Sequence, residues 1–348
     1  MQMPNKTKIL ILGGGFGGLY TALELEKQVG DDPNIEITLV NRENFFLFTP
    51  MLHEVAASDL DITTIVNPIR KLLKRTNFFD GEVTSIDLDN RRVTVSHGID
   101  ASHAHELSYD HLVLALGSVT NFYDIPGLEE QALTMKSLAD AVHLRNRLIE
   151  HLEEADFECS TIPPEQLLTF VVAGGGFAGV ETIAAINDFL RDALEFYPHL
   201  TESMLRIVLV EHGSMILPEL GPELGRYAQE KLEERKIEFR LGTKVTGLSE
   251  RRVKLSNGTI LPARTLIWTA RHGALSNART ARLQERPRAY RRQRLSRSAR
   301  LSRSLGLGRL CFYHRQENRL CLSADRAACP APRTDLRAQY RRDNKGRN

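Results

Sequence analysis

Short apolar runs alternate with amphipathic stretches along this chain as far as Ala270, and then the pattern stops. The segment "KILILGGGFGGLYTALELEK" opens with an apolar run from Ile9 to Leu12, turns at Gly13-Gly14-Gly15, and continues from Leu19 with helical spacing. That order predicts strand, tight turn and helix. A second strand, "IEITLVN", ends at Asn41. The unit then recurs: "LLTFVVAGGGFAGVETIAAINDFL" is again strand, glycine turn and helix, and its second strand, "LRIVLVE", ends on Glu211. The repetition extends to "VTSIDLDNRRVTV" from Val83 and "VTGLSERRVKL" from Val245, each predicting a hairpin around a polar turn. "HLVLALG", ending at Gly117, parallels "TLIWTA", ending at Ala270. Strands alternating with helices, written twice, predict an α/β fold of two Rossmann-type units. The three Cβ-free positions of each turn have distinct physical uses.

Those positions are Gly13-x-Gly15-x-x-Gly18 and Gly174-x-Gly176-x-x-Gly179. The first glycine permits the turn, the second lets a pyrophosphate approach the backbone, and the third packs helix on strand. Gly14 and Gly17 complete the first loop, with Asn41 and Arg42 at the end of the second strand and Ala115 and Gly117 at the end of "LVLALG". Asn41 stands where an acid ordinarily holds ribose hydroxyls, and its amide also hydrogen-bonds them. Glu211 offers a carboxylate to a ribose 2′-hydroxyl and repels a 2′-phosphate, so the second unit favours NAD over NADP. Two units imply two dinucleotides, and FAD first with NADH second is the usual arrangement.

Charge divides the chain where the pattern ends. The net charge of +2 over 348 residues hides a tail, Arg271 to Asn348, with 20 Arg, 1 Lys and 5 acids, a net of +16. The first 270 residues hold 25 basic and 39 acidic side chains, a net of −14. The tail contains no Val, Ile, Met or Trp, which leaves little with which to build strands. Three of the four cysteines (Cys311, Cys321, Cys329) lie there, and the absence of a CxxC pair fits a reducing compartment. No apolar run reaches the ~18–20 residues that span a bilayer. "MQMPNKTK" leads straight into a strand, so no secretory leader is expected.

"NRENFFLFTPMLHEVAASDLD" from Asn41 and "VNPIRKLL" from Val66, with "LVLALGS", "GGGFAGVE" and "LIWTA", resemble the type II NADH dehydrogenases over residues 6–270. The resemblance implies an FAD-dependent enzyme that takes hydride from NADH and reduces a membrane quinone. It implies a peripheral location on the cytoplasmic membrane face and admits a homodimer. No nucleic-acid partner is expected. The segments are read as the N-terminal part of an FAD-binding domain (6–122), a linker and helix (123–164), an NAD(H)-binding domain (165–270) and the Arg-rich tail (271–348). Disulfide and sulfide:quinone reductases need redox cysteines beside the flavin, and the first 270 residues contain only Cys159, in a polar linker. By the same resemblance Glu181 approaches the nicotinamide and flavin and assists proton delivery, and Thr49 and Pro50 lie near the flavin ring. The bland readings are an acid favoured by a helix N-terminus for Glu181 and a turn before a helix for Thr49-Pro50. His53 is read as a helix residue, not a ligand. His97, His103 and His105 are placed in a loop, and no metal is expected. An NAD(P)H-dependent flavin reductase with another acceptor remains the alternative enzyme.

The internal repeat requires Gly after "LIWTA", where Arg271 stands. Within codon degeneracy, reading the tail one base later turns "RHGA" into "GTAP", "LGRLCFYHRQENR" into "LGDCAFITDRKTG" and "SADRAACPA" into "PPTAQHALR". The first restores the glycine, and the second restores the Gly-Asp pair that grips the flavin's ribityl side in such enzymes. The tail is therefore read as an out-of-frame translation. It replaces the rest of the FAD domain and the membrane-anchoring region, and impairs activity. An inactive product or a basic-tailed binding protein is the non-enzyme reading.

Overall fold

The computed structural model describes residues 6–98, 102–157, 159–249, 252–270, 272–274, 311–314 and 319–321. Two compact units emerge, one from Met1–Arg42, Arg75–Ala115 and Arg286–Asn348, the other from Glu43–Lys74 and Leu116–Glu285.

In the first unit, four parallel strands lie in the order Asn77–Asp80, Ile35–Asn41, Thr7–Leu12, His111–Leu114. In the second, four parallel strands lie in the order Ile237–Arg240, Arg206–Val210, Thr169–Ala173, Thr265–Trp268. The two sheets have the same strand order, with the glycine turn following a central strand in each. Helix Phe16–Val29 follows the first turn and helix Phe177–Ala193 the second. Fold class and internal repeat therefore match the alternation read from the sequence. The hairpins repeat as well: Glu82–Asp87 pairs with Arg92–His97, and Val245–Ser249 with Arg252–Leu255. Each carries an irregularity at the same place, between Val83 and Ser85 and between Val245 and Gly247. A bulge of this kind bends and twists a strand pair.

The second sheet is covered on both faces, which explains its continuous apolar strands. Phe170, Val172, Ile207, Leu209 and Ile267 face one core, packed with Leu144, Leu148, Leu152, Ile183 and Ile186 of the helices. Their sequence neighbours Val171, Ala173, Val208, Val210, Leu266 and Trp268 face the other, against Val245, Leu248, Val253 and Leu255 of the hairpin. Helix Leu138–Asp156 starts at a capping box, Ser137 Oγ accepting from Asp140 N at 3.1 Å while Asp140 accepts from Ser137 N at 2.9 Å. The segment Glu43–Lys74 contributes Leu52, Val55, Ala56 and Ile65 to the helical core of the second unit.

Two sequence expectations need correction. His97, His103 and His105 are not in a loop: His97 ends the strand Arg92–His97, and His103 and His105 lie in the strand His103–Ser108 paired antiparallel with it. Pairing to an existing hairpin overrides the weak strand propensity of "HAHELS". The tail, read as lacking strands, contains three short ones. His272–Ala274 pairs with Ser118–Thr120, Cys311–His314 with His111–Leu114, and Arg319–Cys321 with Cys311–His314. Phe312 and Tyr313 supply strand-favouring residues that the count of Val and Ile overlooked.

One buried group makes stability depend on pH. His151, 6% exposed, has Nδ1 3.1 Å from the Leu167 carbonyl, and burial followed by the positive charge of Arg147 lowers its pKa to about 4. Above the unfolded value near 6.5 both states are neutral. Between there and about 4 only the unfolded chain binds the proton, so stability falls as pH falls. The expected loss is about 3 kcal/mol between pH 6.5 and 4. Urea melts across that window measure it, and H151Q is expected to flatten the dependence.

Candidate functional site

Each glycine turn is fixed by the residue that ends the neighbouring strand. In the first unit Asn41 Oδ1 accepts from Gly14 N at 2.8 Å. In the second, Glu211 accepts twice, Oε2 from Gly175 N at 2.6 Å and Oε1 from Gly213 N at 2.7 Å. Asn41 and Glu211 therefore hold the loop that they border, a role beyond the ribose contact read from the sequence. His212 Nδ1 lies 2.6 Å from Glu211 Oε1 and is itself mostly exposed.

The third glycines are set by close approach. A Cβ on Gly18 would overlap the Gly13 carbonyl oxygen and touch the Ala115 Cβ at 3.4 Å. One on Gly179 would overlap the Gly174 carbonyl oxygen and meet Thr269 Oγ1 at 2.7 Å. Thr269 Oγ1 donates to the Ala173 carbonyl at 3.0 Å, so it locks this crossing, a role that "LIWTA" did not reveal. By contrast, a Cβ at Gly15 or Gly176 would meet nothing within 4 Å. These second glycines border open space at the helix start, a cradle that a side chain would fill.

The helix starts complete the cradles. Neither Phe16–Val29 nor Phe177–Ala193 has a side-chain cap or an acid in its first turn. The free N–H groups and the positive end of the dipole are left for an anion, with no carboxylate competing. Both units thus fit a pyrophosphate at the glycine turn. Glu181 lies beyond the first turn of its helix, where the dipole effect has faded, so the bland reading of a helix N-terminal acid loses its basis. Its carboxylate is 45% exposed and lies 3.8 Å from Nδ1 of His53, whose Nε2 is 3.3 Å from Glu54. His53 sits on helix Leu52–Ala56, which directly follows the single 3-10 turn Thr49–Met51. Thr49 and Pro50 are exposed there, between the partly exposed Phe48 and Met51. Arg42 follows Asn41 at the surface, Gly17 is half-buried in the first helix, and Cys159 is exposed. Gly117 has φ +79°, the left-handed region that favours glycine. Its counterpart Arg271 lies outside the described residues.

Residues 7–287 match the sequence profile of the pyridine nucleotide-disulphide oxidoreductases. The chain belongs to that family. Among its relatives, the type II NADH:quinone oxidoreductase of Staphylococcus haemolyticus is 30% identical over 273 residues, 76% of this chain and 65% of the relative. The Mycobacterium tuberculosis type II NADH:quinone oxidoreductase Ndh is 31% identical over 77% of this chain and 58% of its own length. The external alternative NAD(P)H-ubiquinone oxidoreductase B4 of Arabidopsis thaliana is 32% identical over 70% of this chain and 42% of its own. The chain thus spans less than two thirds of the length of these relatives. NDH2 of Plasmodium falciparum, solved with NADH, shares the fold at a TM-score of 0.70 and 24% identity, over 77% of this chain and 56% of that one. Residues 6–270 contain a single cysteine, Cys159, and so no redox dithiol.

Replacing Glu211 tests the second cradle as a dinucleotide site. E211A leaves the Gly175 and Gly213 amides without their acceptor, and lost hydrogen bonds to a charged group cost about 1.5–3 kcal/mol. NADH affinity, followed by nicotinamide fluorescence, is expected to fall at least about tenfold. Discrimination against NADPH is expected to fall with it, because the repelling charge is gone.

Proposed function

We propose that residues 6–270 derive from an FAD-dependent enzyme that oxidises NADH and passes the electrons to a quinone. The observation that carries this reading is the pair of glycine cradles, one ended by Asn41 and one by Glu211, without a redox dithiol in the same stretch. The names of the type II relatives support quinone as acceptor. In this reading Gly13 to Gly18 and Asn41 hold FAD, and Gly174 to Gly179 and Glu211 hold NADH. The flavin supplies the capacity to take two electrons as hydride and release them to an acceptor. Glu181 assists proton delivery to the quinone, with His53 Nδ1 3.8 Å from its carboxylate. Thr49 and Pro50 approach the flavin ring. A peripheral place on the membrane surface and a homodimer belong to the same proposal. Among the described residues no helix is long and apolar enough to cross a membrane.

The tail belongs to the same proposal. Gly117 occupies a left-handed turn after the first copy of the repeat, and a glycine is due at the matching position held by Arg271. Translation out of frame from there accounts for that arginine and for the charge break between −14 and +16.

Parallel assays with NADH and either a soluble quinone or ferricyanide test the acceptor. Quinone-dependent oxidation is expected, and E181Q is expected to lower it while leaving ferricyanide reduction intact. Ferricyanide reduction without any quinone reduction would move the assignment to the NAD(P)H-dependent reductases with another acceptor.

A further inference from the structure

We propose that the hairpin Arg92–His97/His103–Ser108 carries a three-histidine site for a divalent late transition metal such as Zn2+. His97 lies directly opposite His103, and Val95 opposite His105. Residues opposite each other, and residues two apart on one strand, share a sheet face. His97, His103 and His105 therefore project from one face. Their rings are neighbours already: centroids lie 5.4 Å apart for His97 and His103, and 4.6 Å for His97 and His105.

Those separations are what a shared ion requires. With metal–nitrogen bonds of about 2.0–2.1 Å and tetrahedral angles, two bound imidazoles place their ring centres about 5 Å apart. In the present side-chain arrangement no three His, Cys, Asp or Glu among the described residues converge on a point. The rings of His97 and His103 are nearly parallel, at 28°, and those of His97 and His105 are tilted by 44°. Side-chain rotation on a fixed backbone separates this arrangement from a ligating one, and His103 and His105 are exposed.

Two further observations favour a ligand. The Nε2 of His97 is buried and has no hydrogen-bond partner among the described residues, although a buried polar atom ordinarily has one. Phe79 meets His97 and His105 edge-on, at 5.8 and 5.7 Å, and forms an apolar wall that holds the two rings side by side. His103 Nδ1 lies 3.1 Å from Ser102 Oγ, which leaves its Nε2 for the metal and orients the ring, as hydrogen bonds to metal-bound histidines do. Neutral imidazole suits Zn2+, Cu2+ and Ni2+. Three protein ligands leave the fourth position to water.

The test needs neither flavin nor nicotinamide, so it stands apart from the proposed redox function. Zinc chloride is titrated by calorimetry into the purified full-length chain at neutral pH, and thermal melts are recorded with and without zinc. Saturable binding of one ion per chain is expected, with a rise in Tm. H103Q and H105Q change exposed side chains and are expected to leave the zinc-free melt unchanged. Each is expected to weaken binding at least about tenfold and to remove the Tm rise. H97Q disturbs a partly buried ring, so the decision falls on the two exposed positions. Wild-type affinity in H103Q and H105Q overturns the proposal. So does a wild-type chain that takes up no zinc at roughly 100 μM, where its Tm is expected to rise.

Discussion

Purified as the 348-residue chain, the protein is expected to carry well under one flavin and to oxidise NADH slowly. Shifting the reading by one base after codon 270 is expected to yield a yellow protein with one FAD per chain and quinone-dependent activity. The difference follows from what each tail can bury. A tail of 20 arginines against 5 acids cannot cover an apolar face, because an unpaired buried charge costs several kcal/mol or more. The shifted reading replaces it with apolar strands and a Gly-Asp pair suited to the ribityl chain. Absorbance near 450 nm per chain measures the outcome. A full-length, unshifted chain that purifies with stoichiometric flavin and turns over NADH with quinone removes the need for a frame change. A gene whose codons forbid the shifted reading removes it directly.

Gly179→Val is expected to abolish NADH binding and to destabilise the second unit. The added Cβ would overlap the Gly174 carbonyl and press on Thr269 Oγ1, and neither can retreat. Gly174 is held by its N–H to the Val210 carbonyl at 2.9 Å, and Thr269 by its hydroxyl to Ala173. Overpacking of a rigid crossing costs about 1–3 kcal/mol or more, and a valine adds two methyl groups to the clash. Equilibrium unfolding and NADH fluorescence report the two losses. Gly176→Ala is the control: its Cβ meets open space, so stability is expected to hold while the pyrophosphate is pushed away. Equal loss of stability in both variants would show that the crossing of helix and strand is not what Gly179 serves.

Much of this architecture was legible because it is local and repeated. A strand, a three-glycine turn and a helix are specified within about twenty residues, and two copies support each other. The glycines and Glu211 were found for that reason. What Glu211 does besides facing a ligand, bonding Gly175 and Gly213, required the turn's three-dimensional course. Long-range pairings left weaker traces. "SHAHELS" is poor in strand formers, and only its register with Arg92–His97 makes it a strand and puts its two histidines on one face with His97. His53 read as an ordinary helix residue, since nothing near it in sequence announces Glu181, more than a hundred positions away. The helix Leu52–Ala56 buries Leu52 and Val55 in the core of the second unit, a choice that an amphipathic five-residue pattern cannot encode. The strand at Cys311–His314 escaped notice because composition averages over the tail what two adjacent aromatics decide locally.

The two copies of the central strand differ in how freely they can drift. In Thr169–Ala173 all five residues are buried, on both faces, whereas in Thr7–Leu12 the first three are only half-buried. Random mutation therefore meets two landscapes on the same motif. The first copy has room for polar replacement at its entry, and the second has no permissive position. Over many generations the second strand should stay nearly frozen in sequence while its twin wanders.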